Sequence, residues 1–216
     1  MLNVRPIAAL FLLLLFSCNT ERPTSTTEQT SQHPAPDSAL AIPQTSATTD
    51  FHAAFARFFE ELHNADTAGL NQFIHPKYGL WIIEQPGAVP KMTQVFEIQK
   101  FGREYKNRSF FTIASEVQQC KLTEEAFPSF DCADMEGDKT GYSKDGCFVW
   151  DAEKFKKSGY WDYAGLSAEQ LQRIQETLPL VQRSVLHTRS SFEFHFGYLE
   201  GQWHLLFAKI IHPCSA

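Results

Sequence analysis

Apolar and polar positions follow two different periods between residues 51 and 209, and the periods mark the elements. Phe51, Phe55, Phe58, Phe59 and Leu62 recur at helical spacing, with Arg57, Glu60 and Glu61 on the other side. This predicts an amphipathic helix with Asp50 as its N-cap. Asn64-Ala65 breaks it, and Asp66 caps a short second helix through Leu70, Phe73 and Ile74 that Pro76 ends. Residues 78–83 read as a strand and Pro86-Gly87 as a turn. Residues 95–101 and 110–113 are apolar with a mixed period, residues 131–146 are a polar, turn-rich loop, and residues 148–150 form a short strand. Ser167-Ala168-Glu169-Gln170 is a capping box with Leu166 and Leu171 as its staple. The helix it starts carries Leu171, Ile174 and Leu178, and Pro179 stops or kinks it.

The clearest strand period lies near the C-terminus. Phe192, Phe194, Phe196 and Tyr198 alternate with Glu193, His195 and Gly197; after Glu200-Gly201, Trp203, Leu205 and Phe207 alternate with His204, Leu206 and Ala208. A two-residue hairpin loop at Glu200-Gly201 sets Tyr198 opposite Trp203 and Phe194 opposite Phe207. The expectation is an aromatic ladder on one face and Glu193, His195 and His204 on the other, beside Leu206 and Ala208.

The first fifty residues follow neither period. Arg5 precedes an uninterrupted apolar run, residues 7–16. It is too short for a membrane span, which needs roughly 20 residues. A basic start and a small residue at the end make residues 1–17 a secretory signal peptide. Residues 19–49 are dominated by Thr, Ser, Pro, Gln and Ala. Such a stretch buries too little apolar surface to offset its ordering entropy, so residues 18–49 read as Cys18 followed by a disordered tether. Pro23, Pro34, Pro36 and Pro43 keep it partly extended. Residues 50–216 remain as a single α+β domain.

Composition narrows the partners. The chain has 19 Phe, ample for a core, and a net charge of −6. No Lys/Arg cluster stands out, so nucleic acid is not an expected partner. Apart from Cys18, four cysteines remain, Cys120, Cys132, Cys147 and Cys214. An even count in an exported chain reads as two disulfides, for which three pairings exist. Cys132–Cys214 with Cys120–Cys147 is preferred because it ties the terminal tail to the middle of the chain. No two cysteines show the two-residue spacing that zinc sites favour, so no metal and no cofactor are expected.

Leu15-Phe16-Ser17-Cys18 resembles the lipobox of bacterial lipoproteins. The resemblance implies cleavage before Cys18, a diacylglyceryl thioether on its sulfur, and acylation (palmitate) of its new amine. Two or more acyl chains hold a protein stably on a bilayer. Asn19, where an aspartate would favour the inner membrane in that family, leans toward the outer membrane, facing the periplasm. The long first helix, short second helix and closing hairpin resemble the NTF2-like (SnoaL-like) α+β cone. His75-Pro76-Lys77-Tyr78-Gly79-Leu80 and Trp203-His204-Leu205-Leu206-Phe207, with the Cys-Ser-Ala ending, also look like a group of bacterial lipoproteins. The resemblance implies N-terminal helices packed on a curved antiparallel sheet that encloses a small-molecule pocket.

Within such a pocket Glu193, His195 and His204 are the catalytic candidates. A carboxylate beside an imidazole raises its pKa and makes a general acid/base; the alternative is an exposed sheet face with ordinary polar residues. His75, with Asp66 and Tyr78, is a ligand-binding candidate at the mouth, against a helix-ending histidine that bonds the last carbonyls. Asp134, Glu136, Asp138 and Asp145 fall near calcium-loop positions, but Lys139 stands where a sharp turn needs glycine, so they read as a solvated acidic loop. The leading expectation is a lipid-anchored envelope protein that binds a small ligand or an envelope partner without catalysis. An NTF2-like isomerase or hydrolase using His195 with Glu193 is the second, and a structural or docking module with a filled core the third.

Overall fold

The structure is a computed structural model that describes residues 50–214; the expected signal peptide, Cys18 lipobox and tether lie outside the described residues. Asp50 accepts a hydrogen bond from the His52 N–H and starts helix α1 (Phe51–His63). Asp66 accepts from Ala68 and Gly69 and starts α2 (Thr67–Asn71). Strands β1 (Leu80–Glu84), β2 (Lys91–Val95), β3 (Leu122–Glu124) and β4 (Cys147–Trp150) follow, with short 3-10 turns between them. Then come three helices, α3 (Glu153–Lys156), α4 (Tyr160–Tyr163) and α5 (Ala168–Thr177), and strands β5 (Arg183–His187), β6 (Phe192–Leu199) and β7 (Gln202–Lys209). The Ser167–Gln170 capping box forms at α5, which passes into a 3-10 turn where Pro179 denies an N–H.

The seven strands form one open sheet in the order β2-β1-β7-β6-β5-β4-β3. It is mixed, which corrects the antiparallel expectation: β1 runs parallel to β7 and β3 parallel to β4. Parallel neighbours need a long crossover, and the chain between β1 and β7 supplies one. The α+β class holds, with helices on both faces of the sheet.

One face packs against α1. Phe55 and Phe58 meet Phe194 and Phe196 of β6 edge-on, with ring centroids 5.2–6.1 Å apart. Phe58, Phe110, Phe192, Phe194 and Phe196 are fully buried there. The other face is covered by residues 151–182, which lay Phe155, Ile174 and Val181 on Trp81, Ile83, Leu206 and Phe207. The polar face of the hairpin is therefore not an exposed sheet surface: His195 is 0% exposed.

The hairpin carries a second correction. Tyr198 pairs with Trp203 as expected, but the register shifts between His195 and Phe196. Phe196 pairs with Leu205 and His195 with Phe207, so Leu206 is the extra residue of a β-bulge. Beyond it every side chain of β7 changes face. Phe194 lies opposite Ala208 rather than Phe207, and Phe207 joins His195. The structure pairs Cys120 with Cys147 and Cys132 with Cys214, at Cα separations of 5.8 and 5.9 Å.

Candidate functional site

The bulge also sets Lys209 directly opposite Glu193. Both side chains lie on the face covered by α3 to α5 and form an ion pair, 15% and 17% exposed. Burial opposes the lysine charge, but the Glu193 carboxylate and Tyr160 outweigh it and raise the Lys209 pKa above its ordinary value. The ammonium also lies 5.5 Å from the centroid of the Tyr160 ring.

This pair forms part of the floor of a cleft of about 240 Å³, with Leu186 of β5 beside it. One wall is Phe127, Pro128, Phe130 and Tyr142, with the last two rings 4.7 Å apart. The opposite wall is Lys154 and Phe155 of α3 with Ser158 and Tyr160, and Pro213 of the tail completes the lining. The Cys132–Cys214 disulfide thus ties the tail to the loop behind the first wall. Burial raises the Tyr142 pKa, partly offset by a hydrogen bond with Ser191, so the phenol is neutral at pH 7.

His195 lies beside this cleft without lining it. Its ring stacks on Phe155 with centroids 3.5 Å apart, and it is Phe155 that faces the cleft. Nδ1 is 2.8 Å from Ser184 Oγ, while Nε2 has no hydrogen-bond partner and lies 3.7 Å from Glu193 Oε2. Burial, reinforced by the Lys209 charge, holds the ring pKa well below its ordinary value, so the contact with Glu193 is not an ion pair. The tautomer with Nε2–H toward the carboxylate and the Ser184 hydroxyl donating to Nδ1 suits both neighbours.

The other candidates fall elsewhere. His204 is buried against His75, ring centroids 4.7 Å apart, and is not beside His195. His75 accepts the Lys77 and Tyr78 N–H groups at Nδ1 instead of bonding helix carbonyls, and its ring lies 4.9 Å from that of Tyr78. Asp66 is exposed and occupied as the cap of α2. Thus Glu193 and His195 stay together, His75, Tyr78 and His204 form a second cluster, and Asp66 joins neither. The residues missed in the sequence are Lys209, Tyr160, Tyr142 and Phe155. A signal for Lys209 existed: unbroken alternation would drive its ammonium into the aromatic face, a conflict that a bulge resolves.

A third cluster surrounds the inner disulfide. Donor atoms of Cys120, Cys147 and His187 all lie within 4.8 Å of one another. No family model, no curated protein and no solved structure matches this chain.

Proposed function

We propose that the domain is a non-catalytic binding module for a small organic acid, carried in the cell envelope by acyl chains on Cys18. The observation that carries this reading is the Glu193–Lys209 pair at the floor of an aromatic-walled cleft. A largely buried ion pair gives little net stability over well-packed apolar residues, so its placement in a concave site speaks for recognition. Lys154 and Lys209 against Glu193 leave one positive charge to meet a carboxylate, and five aromatic rings supply apolar walls. The volume of about 240 Å³ is below the roughly 300–1,000 Å³ of drug-sized sites, which favours a small ligand.

The enzymatic alternative has less support. A general base must reach the proton it removes, and His195 lies behind Phe155 with its basicity suppressed by burial. Two N-terminal helices, strands and a closing hairpin support an NTF2-like arrangement of elements. The cleft lies on the face away from α1, because phenylalanine rings fill the α1 side. That filled side favours, as a second reading, a structural module without a ligand.

Native mass spectrometry of the gently purified full chain, with thermal shifts against small aromatic and aliphatic carboxylates and matching amines, separates the two. A retained acid, or a carboxylate-specific rise in Tm that is lost in Glu193→Leu/Lys209→Met, supports binding. At a hundred-fold excess over Kd the stabilisation is about 2.7 kcal/mol. A bare mass together with no shift from any carboxylate overturns the proposal in favour of the structural reading.

A further inference from the structure

His187 touches the inner disulfide from a position that the cleft does not use. It is buried at the end of β5. Backbone N–H groups point at both of its ring nitrogens: Ser190 N lies 3.1 Å from Nδ1 and Gln118 N lies 3.2 Å from Nε2, with Ser190 Oγ 2.7 Å from Nδ1. A neutral ring has a single ring lone pair, so it cannot accept from both. A metal on Nε2, on the side of Gln118 and two residues before Cys120, would take that lone pair and leave the ring proton on Nδ1, toward Ser190 Oγ. Metal-bound histidines hold their far N–H on a neighbouring oxygen in this way.

From this geometry we infer that the reduced Cys120–Cys147 pair and His187 form a thiolate–imidazole site for zinc. The inference is independent of the cleft. Zn–S bonds of about 2.3 Å and Zn–N bonds of about 2.0 Å set tetrahedral donors roughly 3.5–3.8 Å apart. The three donors already lie within 4.8 Å of one another; on reduction the two sulfurs separate by roughly 2 Å, about an ångström each, to reach the tetrahedral spacing, and the imidazole nitrogen closes by about an ångström. The moving part is at hand: residues 117–121 belong to no helix or strand, and they carry both Cys120 and the Gln118 N–H that the metal displaces. Cys120 is partly exposed, which gives a reductant and the ion an approach, whereas Cys147 and His187 are buried. Two thiolates cancel the charge of Zn²⁺, so the occupied site is neutral, as burial requires. Spacing could not reveal it, because Cys120 and Cys147 are 27 residues apart and neither is a close sequence neighbour of His187.

The redox step balances with a dithiol reductant. The Sγ–Sγ bond breaks, the dithiol supplies two electrons and two protons and becomes a disulfide, and two cysteine thiols form. Zinc then displaces those two protons to solvent. The disulfide and the zinc site are thus alternative states of the same three residues.

The test uses the full chain carrying Cys18→Ser, Cys132→Ser and Cys214→Ser, so that only this pair can supply thiolates. The protein is reduced with a phosphine, freed of it anaerobically, and titrated with zinc or cobalt. The expected result is one metal per chain by native mass, a thiolate-to-cobalt charge-transfer band, and no binding to the oxidised form. His187→Ala is expected to weaken zinc binding at least 100-fold. Ser190→Ala is expected to weaken it about 10-fold by freeing the ring. Should the reduced protein lose its fold, recovery of its near-ultraviolet circular dichroism on adding zinc supports the site, and failure to recover overturns it. No zinc on the folded reduced protein, or unchanged affinity in His187→Ala, also overturns it.

Discussion

His204 shows what burial does to a titratable side chain in this protein. It is 1% exposed, and its Nδ1 has no hydrogen-bond partner. The groups facing it are the His75 ring, the Glu200 carboxylate beyond it, and the Gln202 amide. Burial first, then the charge on His75, lowers its pKa from 6.5 to about 4. The folded pKa lies below the unfolded one, so the unfolded chain takes up the proton first. This stability is complete above about pH 6.5 and is lost as the pH falls toward 4; a shift of this size corresponds to roughly 3 kcal/mol. Urea midpoints at pH 7 and pH 4.5 are expected to differ by less in His204→Gln than in the wild type. An equal pH dependence in the two would remove His204 as a source of acid lability. His195 works in the same direction. The sequence put both histidines on one polar face, but partners decide their roles, and Phe155 and His75 reach them from distant segments.

Elements were legible where the pattern is local. Three caps, Asp50, Asp66 and Ser167, each accept the backbone N–H groups that a first helical turn leaves free. The bulge at Leu206 was not legible, since local alternation fits two registers and packing on both faces chooses between them. Nor was the role of residues 151–182, which cover the second face of the sheet. Their backbone comes close at Gly197, where an added Cβ would lie 2.5 Å from the Leu180 carbonyl oxygen and 2.8 Å from Leu206 Cδ1. A backbone carbonyl cannot swing aside as a flexible side chain can. Gly197→Ala is expected to destabilise the fold by about 1–3 kcal/mol through overpacking, read as a lower urea midpoint at unchanged m-value. No change in midpoint would mean that residues 151–182 sit loosely on β6.

For the molecule as a whole, the proposed anchor and the stapled domain answer to different physics. Among the described residues no helix is long and apolar enough to cross a membrane. The proposed attachment rests on Cys18 alone. Cys18→Ala is expected to move the protein from the membrane fraction to the soluble fraction, since no acyl chain remains to hold it. Persistence of the variant in membranes after carbonate extraction would refute acyl anchoring. In the domain, Cys132–Cys214 spans 82 residues and closes the cleft behind its first wall, a contact between segments that share no local signal.

What could be read from the chain was what neighbouring residues dictate: caps, the face of α1, the capping box of α5, the loop of the last hairpin, and an even cysteine count in the domain. These depend on hydrogen bonds and periodicities that close within a few residues. The mixed sense of the sheet, the bulge that opposes Lys209 to Glu193, the shielding of His195 by Phe155, and the approach of His187 to Cys120 and Cys147 were decided by the tertiary structure. Each depends on which distant segments exclude water from the same surface, and burial of that kind has no period along the chain.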